Sequence, residues 1–260
     1  MDSQRRMKET SNRRVIALLL GSALFAAESK PRKASASDTV IPHIAFGGDW
    51  KTVVTLVNVE HVDTDVVVRF YDNNGVAMPV PTDTQGTTAA YAVKLAGNGS
   101  HQFLIAGGTT VNQGWADVTF DPNLGTVQGA AVFRQVVPGR QDLEALSPSC
   151  QNTMQQRISF DQTDGYQTGL AFANTGEEEN VITAVVRGED GKAVNSEPVE
   201  IRVPAMGHTA FLIADNPALK SLVNGRGVID FRGTTKFAML GLRFSPTFSF
   251  TTILPYEFSY

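Results

Sequence analysis

The chain has one cysteine, Cys150, in 260 residues. An internal disulfide is therefore excluded, and so is a multi-cysteine zinc cluster. The four histidines, His43, His61, His101 and His208, show no H-E-x-x-H spacing, so the zinc-peptidase pattern is absent. There is no G-x-S-x-G elbow, the commonest signature of secreted hydrolases. The main apolar run, Val15–Ala27, is only 13 residues long, well short of the roughly 20 that a membrane-spanning helix needs. No stretch carries a convincing amphipathic helical period, and charged residues make up only 18%.

What is present begins with a leader pattern. A basic polar segment precedes the apolar run, and Ala34-Ser35-Ala36 follows as a small-x-small cleavage site. That order predicts a signal peptide over residues 1–36 and an exported protein placed in the periplasm, on the cell surface or outside the cell. Those residues hold eight Lys/Arg and three acids, so the remainder keeps 14 cations and 23 anions, a net of −9 against −4 for the whole chain. Such a chain repels phosphate backbones, so nucleic acid is not expected as a partner. A membrane enters only through the leader, should it stay uncleaved.

The rest reads as a repeat. "GGDWKTVVTLVNV" lies over "TDGYQTGLAFANT" at an offset of 116, pairing Trp50 with Tyr166 and Asn58 with Asn174. The same offset sets Gly75 on Gly191 in two tight turns. Further on, "GSHQFLIA" meets "GHTAFLIA" with Phe103 on Phe211, "GWADVTF" meets "GRGVIDF" with Phe120 on Phe231, and Arg134 falls on Arg243. The matches are collinear, as a duplication with small insertions requires.

Alternating strands divided by Asn-Gly and Asp-Gly turns predict an all-β chain. The expected architecture is two tandem antiparallel β-sandwich domains of immunoglobulin/fibronectin-like type. Their bounds are 39–148 and 155–260, joined by a polar linker at 149–154. Trp50, Thr52, Val54, Leu56 and Asn58 share the expected core face of one strand, as do Tyr166, Thr168, Leu170, Phe172 and Asn174 in the other unit. "NPALKSLVNG" reads as a single helical turn.

The run "IPHIAFGGDWKTVVTLVNV … AVFRQVVPGRQDLEALSP", followed by "ISFDQTDGYQTGLAFANT … LGLRFSPTFSFTTILPY", resembles a segment of secreted bacterial proteins common in soil bacteria. These are tandem immunoglobulin-like β-sandwich proteins of unknown function. The resemblance covers nearly all of the chain after the leader. It implies an extracellular module and brings no catalytic residues with it.

No residue is expected to be catalytic. His101 and His208 sit one position out of register, and no nucleophile repeats beside them. The Asp residues occur in turn sequences such as "YDNNG", "DQTDG" and "GEDG", where turn bonding accounts for them. Calcium is the one cofactor weighed, since loop oxygens suit it; otherwise no cofactor or metal is expected. Asn58 and Asn174 end their strands, where an amide bonds the turn backbone. Trp115, aligned with Arg226, is the aromatic expected to be exposed and to offer a ligand-binding platform.

The functional expectation is a non-enzymatic exported protein acting in adhesion, envelope scaffolding or recognition of a protein or glycan. The alternatives are a carbohydrate-binding module or accessory to polysaccharide degradation, an enzyme with its site between the units around Cys150, and an outer-membrane barrel ending at "FSFTTILPYEFSY".

Overall fold

A computed structural model describes residues 39–123, 126–247 and 249–259. The expected leader lies outside these residues. The described chain is all-β, with antiparallel pairing throughout the named ladders. Alternating burial is the cause: in β2 (Trp50–Asn58) Val54 and Leu56 lie inside, while Lys51 and Val53 are half-exposed. A strand with period-two apolarity can satisfy its backbone only in a sheet with one face covered.

The N-terminal part forms two sheets. One runs β11 (Cys150–Gln151), β1 (Thr39–Phe46), β8 (Asn112–Phe120), β3 (Thr64–Tyr71), β6 (Ala90–Leu95). The other runs β10 (Leu143–Pro148), β9 (Val127–Gln135), β2, β7 (Ser100–Ala106), β4 (Val80–Thr82), β5 (Gly86–Thr88). Ile41, Val68, Phe70 and Val118 from the first interleave with Val54, Leu56, Phe103 and Ala131 from the second, the arrangement of a β-sandwich.

The C-terminal part is organised around β17 (Arg226–Phe244), a 19-residue strand that serves two sheets. Its first stretch pairs with β12 (Thr153–Asp161) and β14 (Asn180–Gly188). These are flanked by β19 (Tyr256–Glu257) and β15 (Val199–Val203). Its last stretch pairs with β13 (Gln167–Asn174) and β18 (Phe250–Ile253), and β13 pairs in turn with β16 (His208–Leu212). Ile158, Ile182, Ile229 and Phe231 meet Leu170, Phe172, Phe211 and Met239 in a second core.

The pairing orders agree. β1-β8-β3-β6 has the order of β12-β17-β14-β15, and β10-β9-β2-β7 has the order of β18-β17-β13-β16. Two separate strands in the N-terminal part, β8 and β9, stand where one continuous strand stands in the C-terminal part. A small bonding pattern recurs at the offset of 116: the Thr52 hydroxyl bridges the backbone N–H and C=O of Ala45, and Thr168 does the same for Asp161.

The register corrects two of the expected pairs. With β3 set on β14, Gly114 falls on Gly227, and a Cβ at either would stand 2.0 Å from the Tyr71 or Arg187 carbonyl oxygen. Phe231 then corresponds to Val118, with Phe120 falling two residues later. With β2 set on β13, Arg243 corresponds to Phe133, so Arg134 and Arg243 are one residue apart. That slip matters because one residue reverses the face. Arg134 points outward to Asp142 and Glu144, while Arg243 reaches Asp161.

Residues 149–154, expected as a polar linker, include β11, which adds to the edge of the first sheet beside β1. The turn bonds from Asn216 to Val223 bury Leu219 and Val223. The C-terminal aromatic stretch divides at Pro255, β18 pairing with β17 and β19 with β12.

Candidate functional site

Two surfaces bring polar chemistry together: a buried seam between the two sheet pairs, and an arginine face on the far side of the C-terminal pair.

The seam follows from strands buried on both sides. β1 and β13 are each buried at seven of eight positions. On β1, Ile41 and Ile44 point into the N-terminal core, while Val40, His43 and Ala45 point the other way. They meet the outer face of β13, β16 and β17, which carries Ala171, Ala173, Ala210, Ala238 and Leu240. The four alanines let the sheets approach closely. Phe133, Trp50 and Phe250 stack at one end of this contact. Trp50 is buried, as expected, but in the seam rather than in the N-terminal core. Tyr166 lies half-buried beneath Arg243, whose guanidinium carbon is 3.6 Å from its ring centroid.

Trp115 requires a correction. It is 1% exposed, stacks on Tyr71, and donates its indole N–H to the Met206 carbonyl at 2.7 Å across the seam. Its counterpart by register is Val228, not Arg226. The expectation of exposure came from a correspondence two residues out. No ring face is left open for a ligand.

A polar chain crosses the apolar contact. His43 Nδ1 lies 3.1 Å from His208 Nε2, and His208 Nδ1 lies 2.7 Å from Asn73 Oδ1. The proton positions follow from the acceptor at the end. Asn73 Oδ1 takes the His208 Nδ1 proton, so His208 Nε2 offers its lone pair and His43 Nδ1 donates. Both rings are neutral in this network. Burial pushes His43 down to about 4. Burial and the adjacent His43 hold His208 well below the ordinary imidazole value. Cys150 packs at the same seam, with Val40, Trp115 and Ala173. Burial pushes its thiol up to about 11, against a bond from the Met239 backbone. A protonated thiol among apolar groups is a poor nucleophile. A cavity lined by His43, Gly169, Leu170, Ala171, Leu240 and Leu242 sits at this contact.

Other expected residues serve the backbone. The Asn58 amide bonds Val62 and Ala96 carbonyls and the Glu60 N–H. Asn174 bonds Glu178, Val203 and Pro204 carbonyls and the Gly176 N–H. Asp72 accepts from the Asn74 and Val76 N–H groups, and Asp190 from Lys192. His101 bonds the Tyr91 hydroxyl at 2.7 Å. Phe103 and Phe211 are core residues. Among the described residues, no three His, Cys, Asp or Glu side chains converge as a metal site.

The arginine face escaped the repeat comparison. On β12, β17 and β14 the core takes Ile158, Phe231 and Val186, which leaves Arg157, Arg226, Arg232 and Arg187 outside. Arg202 and Glu200 continue the face on β15. Five of the 14 cations after residue 36 thus share one sheet face, with Asp161, Asp230 and Glu200 as its carboxylates. Asp230 is buried under Arg157 and Arg187, which bond it at 2.9 Å each. Burial alone would raise its carboxyl; the two guanidiniums outweigh that and hold it low. Asp161 balances the same way, burial against Thr163, Arg243 and Arg226, and lies far below the usual range. The Phe258 ring lies 5.0 Å from the Arg157 guanidinium, and Tyr256, opposite Arg157 in the ladder, is 66% exposed. On β17 this face reads Arg226, Val228, Asp230, Arg232, and arginine at both ends of that row was the sequence signal for it.

No family model matches the chain, and no curated protein matches it.

Proposed function

We propose that the chain is an exported, non-enzymatic protein built by duplication of one β-sandwich unit, and that it acts by surface contact in adhesion, scaffolding or recognition. The observation that carries this reading is the seam. Its titratable groups, His43, His208 and Cys150, are neutral: the two rings bond each other and Asn73, and the thiol packs with Val40, Trp115 and Ala173. The seam thus holds the two sheet pairs together, and the charged groups stand on outer faces. The matching strand orders and the repeated Thr52/Thr168 and Asn58/Asn174 bonds support duplication. An enzyme site around Cys150 would need polar groups converging on a thiolate, whereas the thiol's neighbours are apolar.

Recognition of a glycan is the reading favoured by Tyr256, an exposed aromatic beside arginines. Residues 37–260, produced without the leader, test the proposal in a thermal-shift screen with calcium, chelator, candidate proteins and a glycan panel. A ligand that prefers the folded form must raise its stability. A shift with one glycan or protein is the expected result. Catalytic turnover of a panel member, or insolubility without detergent, would overturn it.

A further inference from the structure

We infer that the outer face of β12, β17 and β14 is a binding site for an acidic polysaccharide, a uronic-acid polymer whose carboxylates pair with its arginines. The inference rests on the recognition reading above and names the ligand for it.

The first ground is placement. Arg157, Arg187, Arg226 and Arg232 project from three neighbouring strands onto one sheet face of a chain that carries −9 after residue 36. Isolated arginines on an acidic surface are ordinary; a sheet face that collects them is not. The second ground is orientation. Asp230 is 4% exposed and is held between Arg157 and Arg187. A buried carboxylate beneath two guanidiniums fixes their planes, so little side-chain freedom remains to be lost on binding. The third ground is the occupant. Planar guanidinium forks match carboxylates, and the ring of Tyr256 beside Arg157 offers a face on which a sugar can stack. An extended polymer with one carboxylate per sugar fits a row of cations along a sheet.

The fourth ground is a contrast within the molecule. By register, Val40 and Tyr71 of the N-terminal pair stand where Arg157 and Arg187 stand in the C-terminal pair. Around those two residues the N-terminal face is covered by the seam. The C-terminal one carries charge in place of the apolar contact surface, so it is built for a polar occupant.

The test is calorimetric titration of residues 37–260 with polygalacturonate. Its methyl ester, dextran, duplex DNA, polyglutamate and phosphatidylglycerol vesicles serve as comparison probes. Polygalacturonate is expected to bind, more weakly as salt rises, and the ester and dextran to fail. The double variant Arg226→Glu/Arg232→Glu is expected to lose about tenfold or more in affinity, as removal of two charge-assisted contacts implies. Should that variant fail to fold, Arg232→Gln alone, at an exposed position, is expected to lose about threefold. Tyr256→Ala should weaken polygalacturonate and leave the unfolding midpoint unchanged. The inference is overturned if polygalacturonate does not bind, if folded arginine variants bind as well as the parent, or if DNA, polyglutamate or vesicles bind in preference. A neutral glycan that stabilises the protein while polygalacturonate does not would sink this inference and leave the recognition reading standing. Turnover of polygalacturonate would sink the recognition reading itself.

Discussion

The outer face of β1, β8 and β3 and the outer face of β12, β17 and β14 hold the same place in sheets of the same strand order, yet the first is covered by the other sheet pair around Trp115 while the second meets water. On the first, Val40, Trp115 and Tyr71 form an apolar surface against Ala173 and Ala238. On the second, Arg157, Val228 and Arg187 stand at the corresponding positions. The difference teaches what ends a stack of sheets. Equivalent backbones would allow a third pair of sheets to dock. Charge at two of three contact positions removes the apolar area that docking needs, much as a polar cap closes a repeat array.

The largest expected effect comes from removing the apolar side of this comparison. Trp115→Ala deletes a buried ring and leaves the Met206 carbonyl without its indole donor. A loss of about 3–5 kcal/mol is expected in denaturant unfolding. Val228→Ala, at the same register position on the open face, should cost less than about 1 kcal/mol. Similar losses at the two sites would break the comparison.

Acid acts on the same seam by a different route. The folded protein keeps His43 and His208 neutral; the unfolded chain does not. Below pH 6.5, the ordinary value, the unfolded form takes up protons that the folded form refuses, down to about 4 for His43. Stability therefore falls as the pH drops through that window, by about 3 kcal/mol from His43 alone. The lowered carboxyls of Asp161 and Asp230 add their loss only at lower pH. Urea midpoints between pH 7 and 5 check this. His43→Leu/His208→Leu should flatten the dependence above pH 5, and a slope that survives in that variant would place its source elsewhere.

Much of the fold was legible in sequence because it is written in short-range signals. The alternation of Val54 and Leu56 with Lys51 and Val53, the strand-ending Asn58 and Asn174, and the Gly75 and Gly191 turns all depend on neighbours within a few residues. The seam was harder, because its signal is smallness. Gly169, Ala171 and Ala173 look like a weak outer face beside Leu170 and Phe172, although small residues are what a closely packed second face requires. The near-continuous apolar run of β1 was the other clue, since a strand buried on both sides loses its alternation. Trp115 was misplaced for a different reason. Glycine recurs at 225 and 227, and only the close approach of Gly227 to the Arg187 carbonyl shows which one matches Gly114. The arginine face drew no notice because a comparison of repeats rewards what recurs, and arginines at 157 and 187 do not.

The last expected effect is the smallest and separates the two turns. Gly75 and Gly191 adopt nearly the same left-handed backbone, with φ of 79° and 77°. A side chain at Gly191 would meet nothing within 4 Å, whereas at Gly75 its Cβ would stand 2.0 Å from the Ala205 carbonyl oxygen. Gly191→Ala thus costs backbone strain alone, about 1 kcal/mol. Gly75→Ala adds a clash that pushes the Asp72–Gly75 turn away from the other sheet pair and pulls Asn73 from His208, for about 2–4 kcal/mol in total. The gap between the two variants, read from thermal unfolding, measures how firmly that turn is held in the seam. Equal losses would mean that the turn moves aside freely and that the Asn73–His208 bond does little to hold the sheet pairs together.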